Sequence, residues 1–122
     1  MKSLLSITAL LEGFTGLALA FVPSLLVYIL LGTSLTDPSA ILIGRLAGAA
    51  LITIAIACWL SRGDPQPSAM VKAMLGYNIF SISLLIYAAL VEKVCGPALW
   101  PAVLLHLGLL VWCLSSLRRR VQ

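Results

Sequence analysis

Apolar residues run along this chain in four long, almost unbroken stretches, approximately Leu4 to Leu31, Ile41 to Leu60, Ala69 to Val91 and Ala98 to Leu117. Each is near or above the roughly 20 residues a helix needs to cross a hydrocarbon core. The runs do not alternate polar with apolar positions, which disfavours a β-barrel. The segments between them carry Gly32, Pro38, Gly63, Pro65, Pro67, Gly96 and Pro97, with Ser and Asp in the first two, all helix-stopping or capping types. Connections this short make neighbouring helices antiparallel. The pattern predicts an all-α fold, an integral membrane four-helix bundle, formed by residues 1–122 as a single domain with no internal repeat.

Composition strengthens this reading. Hydrophobic residues make up 61% of the 122 residues and charged residues 10%, against roughly 25% charged in a soluble domain. A soluble chain of this size buries only about two-thirds of its surface, so lipid is the simplest cover for so much apolar sequence. Lys2, Arg62, Lys72, Arg118, Arg119 and Arg120 fall on one side of the expected membrane, and only Lys93 falls in a loop on the other. Cytoplasmic flanks retain positive charge, so both termini are expected in the cytoplasm. The net charge of +4 is then a topology signal, with anionic headgroups rather than nucleic acid beside the Arg118 to Arg120 run. Tyr28, Tyr87 and Trp100 at one end and Trp59 and Trp112 at the other suit aromatic belts. A cleaved secretory signal is the competing reading of the N-terminus, since Ala18-Leu19-Ala20 has the small-x-small form of a cleavage site. Against it, Glu12 interrupts the apolar run and apolar sequence continues to Leu31.

The candidate chemistry lies in the polar residues inside the spans, because a charge at membrane depth is costly and usually faces the bundle interior or a cavity. These are Glu12, Arg45, Asn78 and His106. Counting about 1.5 Å per residue from the cytoplasmic edge puts Glu12 at roughly 12 Å, Asn78 at roughly 13 Å and His106 at roughly 16 Å, one layer near the midplane supplied by three helices. Thr53, at roughly 10 Å, either completes that ring or bonds back to its own helix, the favoured alternative. Arg45, at roughly 22 Å, either bends towards Glu12 or extends outward to headgroups. Pointing inward, it would make a pocket suited to a ligand with an anionic or polar end. Glu12 is either a carboxyl that exchanges a proton as a ligand binds, or one hydrogen-bonded to Asn78 or His106 that holds helices together. Asn78, next to Tyr77, is expected to bond between helices.

Small residues mark close helix approach: Gly13 and Gly16 in the first span, and Gly44 and Gly48 around Arg45 in the second. The Gly44/Gly48 face serves either contact with the first helix or a homodimer. Pro23 predicts a kink in the first span, packed in the favoured reading and lining a cavity in the alternative. Cys58 and Cys113 read as reduced, packing thiols; Cys95, in the outer loop, is either unpaired or bonded between chains.

No Gly-rich phosphate loop, His-Glu-x-x-His or paired metal-binding cysteines occur, and His106 is the only histidine. Soluble-type catalysis therefore lacks its residue sets, and no cofactor or metal is expected. With Glu12 embedded in its first helix, the chain resembles in architecture the small multidrug resistance transporters, and the resemblance implies a proton-coupled dimer. It departs from them in the third helix, where Leu75-Gly76-Tyr77-Asn78-Ile79 stands in place of the family's Trp-Ser-Gly segment, and in having Arg45 and His106. The segments Leu11-Glu12-Gly13-Phe14-Thr15-Gly16, Gly44-Arg45-Leu46-Ala47-Gly48, Ala57-Cys58-Trp59 and Leu99-Trp100-Pro101-Ala102 resemble those of uncharacterised small bacterial membrane proteins, which implies a bacterial inner membrane.

The leading expectation is a protein that binds or transports a small polar or anionic molecule, with binding residues Glu12, Arg45, Asn78, His106, Thr53 and Tyr77. Its partners are the lipid bilayer, a small-molecule ligand and either a second copy or a larger membrane complex. The first alternative is a non-catalytic subunit of such a complex. The second is a quinone- or lipid-handling enzyme or redox subunit, with His106 and Tyr77 at the polar end of that molecule.

Overall fold

The computed structural model describes residues 1–119, so Arg120 of the terminal arginine run lies outside the described residues. It is all-helical there: α1 (Lys2–Phe21), α2 (Pro23–Leu31), α3 (Pro38–Ser61), α4 (Ser68–Leu90) and α5 (Leu99–Arg118). α1, α3, α4 and α5 are each long and apolar enough to cross a membrane. These helices start and end within three residues of the apolar stretches, with one difference: the first stretch is two helices.

The break falls at Val22, which has φ −132° and ψ 55°. Pro23 supplies no backbone donor and its ring pushes the residue before it out of the α region, so α1 ends there and Pro23 opens α2 at the first-turn position where proline fits. The kink expected at Pro23 is thus a complete interruption. α1 alone, at 20 residues, is about 30 Å long, enough for a hydrocarbon core.

α2 stops at Gly32, whose φ of 74° is the left-handed cap that glycine adopts without strain. The Asp37 carboxylate then caps α3 by accepting from the backbone N–H groups of Ser39 and Ala40, at 2.9 and 3.1 Å. The α4–α5 connection hooks over the end of α2: Gly96 N–H donates to Leu30 O at 3.0 Å and Ala98 N–H to Ile29 O at 3.0 Å. A side chain on Gly96 would collide with the Ile29 carbonyl, so the hook requires glycine.

α1 packs mainly on α3 and α4 on α5. The α1–α3 pair is antiparallel, with Gly13 facing Ala55, Gly16 facing Gly48, and Pro23 facing Gly44. At its centre the two backbones touch: a Cβ on Gly48 would lie 2.6 Å from Ala20 N and 2.7 Å from Gly16 O, and one on Gly16 would lie 2.8 Å from Gly48 O. The Gly44/Gly48 face is therefore used inside the chain, against α1, Pro23 and Leu35. Of the two uses expected for it, the structure shows the intrachain one.

The main cluster of buried apolar residues is towards the end that carries the N-terminus, where Leu4, Leu5, Ala9, Cys58, Val71, Met74, Leu109 and Cys113 come together. Outside it the helices are apolar to their surface: Phe14, Phe80 and Leu60 are each 71% exposed. Large exposed apolar area on every long helix is the surface of a multi-pass membrane protein, since only lipid or a partner covers it. Trp59 and Trp112 near one end and Tyr28, Tyr87 and Trp100 near the other are exposed as well.

Candidate functional site

Three helices bring their polar residues to one level of the bundle. Glu12 sits on the buried stripe of α1 with Leu5, Thr8, Ala9 and Gly16, spaced three or four residues apart, and is itself only 4% exposed. Asn78 continues the buried stripe of α4 begun by Val71 and Met74 and is 1% exposed. His106 lies one heptad from each of Leu99 and Cys113, on the buried face of α5.

Two hydrogen bonds tie these helices together. The Tyr77 hydroxyl donates to Glu12 Oε2 at 2.9 Å, joining α4 to α1. His106 Nδ1 lies 2.9 Å from Asn78 Oδ1, joining α5 to α4. The Asn78 amide nitrogen donates to Met74 O at 2.7 Å, one turn back on its own helix. The Tyr77 and His106 rings meet edge to face, with centroids 5.7 Å apart. The result is a continuous cluster in the order Glu12, Tyr77, His106, Asn78.

Direction within the cluster follows from which atoms are able to donate. A carbonyl oxygen only accepts, so the atom of Asn78 that faces Met74 O is its NH2 group and the atom that faces His106 is its oxygen. That oxygen also only accepts, so Nδ1 of His106 carries the proton. At the other end the Tyr77 hydroxyl occupies Oε2 of Glu12. Among the described residues no buried side-chain nitrogen or oxygen lacks a hydrogen-bond partner.

The structure thus brings together Glu12, Tyr77, Asn78 and His106 and leaves Arg45 and Thr53 out. Thr53 is exposed and its hydroxyl donates to Ala49 O of its own helix at 3.0 Å. Arg45 is exposed too, and with Pro23, Ser24, Phe21 and Leu25 it lines a surface cleft of about 330 Å3 beside the α1–α2 break. The inward, Glu12-directed course for Arg45 is not taken, and the layer contains no cation from it. Glu12 bonds to Tyr77 rather than to Asn78 or His106. Tyr77 was expected as a neighbour of Asn78 and, with His106, as a contact for the polar end of a bound molecule; its bond to Glu12 was not foreseen, and the signal for it is a phenol at the same height as a carboxyl on another span. Ser81 lies one turn beyond Tyr77 on α4, and Thr8 is buried one turn before Glu12. Sequence reasoning missed both, although the i+4 spacing pointed to them.

Cys58 and Cys113 are buried thiols of the core, and Cys95 is exposed and in no disulfide, its thiol donating to Gly96 O at 3.8 Å. Among the described residues no group of three or more His, Cys, Asp or Glu side chains is arranged to hold a metal ion. Comparisons with known protein families, with characterised proteins and with solved structures find no match to this chain.

Proposed function

We propose that this is a four-span protein of a bacterial inner membrane, with both termini in the cytoplasm, that binds or moves a small polar molecule at the layer of Glu12, Tyr77, Asn78 and His106. The basic side chains support the orientation: Lys2, Arg62, Lys72, Arg118 and Arg119 lie at the terminal end of the bundle, and towards the other end are Lys93, in the loop there, and Arg45, on α3. The observation that carries the functional reading is the Tyr77 to Glu12 hydrogen bond across α1 and α4. It fixes one oxygen of a nearly buried carboxyl and leaves the other to exchange a proton. Arrival of a ligand that competes for Tyr77 or for Glu12 Oε1 then changes proton occupancy, which is the elementary step of proton coupling. With Arg45 outside the layer, the preference for an anion loses its basis, and a polar or ionisable ligand remains.

A second reading is favoured by a different observation: among the described residues no buried side-chain nitrogen or oxygen lacks a hydrogen-bond partner within the protein. On that reading the cluster is interhelical glue and the chain is a non-catalytic subunit of a larger membrane complex. Native mass spectrometry of wild type and Glu12→Gln released from the membrane separates the two. A small molecule bound to the wild type and lost from the variant is the expected result. The same partner protein retained by both, with no ligand on either, overturns it in favour of the subunit.

A further inference from the structure

Arg45 is a cation with no answering group in the chain. Its side chain is exposed on α3 and makes no hydrogen bond or ion pair among the described residues. The sequence has four acidic residues, and each is placed elsewhere. Glu12 bonds to Tyr77, Asp37 caps α3, Asp64 follows α3 at the terminal end and Glu92 follows α4. A charge beside lipid is costly unless something pairs with it, so the counter-charge of Arg45 comes from outside the chain.

The surroundings of Arg45 narrow what that is. It lines the cleft of about 330 Å3 at the α1–α2 break, a size within the range of small-ligand pockets. Phe21, Val22, Leu25 and Ile41 are apolar walls of that cleft, and the first three are exposed, so it opens towards lipid. The Ser24 hydroxyl donates to Leu35 O at 2.9 Å, which leaves the guanidinium as the side-chain donor of the cleft. Pro23 packs against Gly44, so Arg45, next along α3, stands close to the level at which α1 ends. At 20 residues α1 is about 30 Å long, the thickness of a hydrocarbon core. Arg45 therefore stands near the edge of the apolar layer, where phospholipid phosphates begin, and its planar fork of N–H donors matches a phosphate.

We propose that this cleft holds one anionic phospholipid, its phosphate on the Arg45 guanidinium and its glycerol end and first chain carbons against Phe21, Val22 and Leu25. Pro23 makes the site, because the break that it forces at Val22 itself lines the cleft. The cleft is separate from the Glu12 layer, and its occupant does not depend on what that layer binds.

Native mass spectrometry in a non-ionic detergent with added dioleoyl phosphatidylglycerol counts the lipids retained as collisional activation is raised. Wild type holds one molecule more than Arg45→Gln at the same activation, and Arg45→Lys holds it in part. Lys93→Gln, which removes a charge from the same end of the bundle, holds it as wild type does. Ile41→Glu tests the cleft with Arg45 in place: a carboxylate one turn before Arg45 on α3 pairs with the guanidinium, and that lipid is lost. Dioleoylglycerol, with the same chains and no phosphate, is not retained. The inference is overturned if Arg45→Gln or Ile41→Glu keeps the lipid, if Lys93→Gln loses it too, or if dioleoylglycerol is held equally. Displacement by excess inorganic phosphate also overturns it, since the cleft then takes a free anion. A dimer that dissociates in Arg45→Gln, with phosphatidylglycerol retention unchanged, puts a second copy in the cleft instead.

Discussion

The same helix, α1, is held in two opposite ways along its length. Against α3 it is held by an absence of side chains: Gly16 and Gly48 let the two backbones touch, and no polar side chain takes part there. Against α4 it is held by side chains reaching across, with Glu12 and Tyr77 meeting at 2.9 Å. The first contact gains dispersion energy from close backbone approach, the main driving force between helices in lipid. The second gains a directional bond of modest strength between side chains that reach across the gap between the helices. A close glycine contact tolerates no added atom, whereas a polar contact tolerates movement, and a bundle that carries both has a rigid side and a yielding one.

The largest expected effect tests the rigid side. Gly48→Leu places a branched side chain against Ala20 N and Gly16 O and costs about 3 kcal/mol or more, read as loss of the folded fraction in denaturant titrations in mixed micelles. Gly48→Ala, with a single methyl at those contacts, costs about 2 kcal/mol. The matched control is Gly76→Ala on α4, where a Cβ meets nothing within 4 Å, and stability stays within about 0.5 kcal/mol. Equal effects at the two glycines would break the comparison.

Smaller effects sharpen the yielding side. Asn78→Leu removes the acceptor of His106 and leaves a polar Nδ1–H without its partner, costing about 1 to 2 kcal/mol. It also frees the imidazole tautomer, so a 15N NMR spectrum of protein labelled at its histidine shows both ring nitrogens partly protonated. Tyr77→Phe removes one interhelical hydrogen bond and costs about 0.6 to 1 kcal/mol; a loss as large as that of Gly48→Ala would show that the polar layer is as rigid as the glycine contact. Smallest of all is Thr53→Val. Its hydroxyl bonds only within α3 and faces outward, so stability and ligand mass stay at wild-type values, with any change within about 0.5 kcal/mol.

The spans were legible in the sequence because hydropathy and length report directly on what crosses lipid. The split of the first span at Pro23 was legible in kind but not in degree. Heights were legible too: a helix rises at a constant rate, so counting residues put Glu12, Asn78 and His106 in one layer, and three helices do bring them there. Thr53 and Arg45 show where counting stops working. Thr53 was placed near the layer by height and faces out of the bundle; Arg45 was placed within reach and lines a cleft at the helix break instead. The comparison with the small multidrug resistance transporters extends no further than a four-span architecture with a carboxyl in its first helix.

The sequence by itself determined the number and approximate bounds of the apolar spans, their stops, and the position of each polar residue along its helix, because these depend on composition and on a fixed rise per residue. The tertiary structure alone decided azimuth. Tyr77 and Asn78 are neighbours in sequence but about 100° apart around α4, so one reaches Glu12 on α1 and the other His106 on α5. No count along a chain supplies that angle, because the packing of Gly16 on Gly48 and the hook of Gly96 over α2 set how each helix is turned relative to its neighbours.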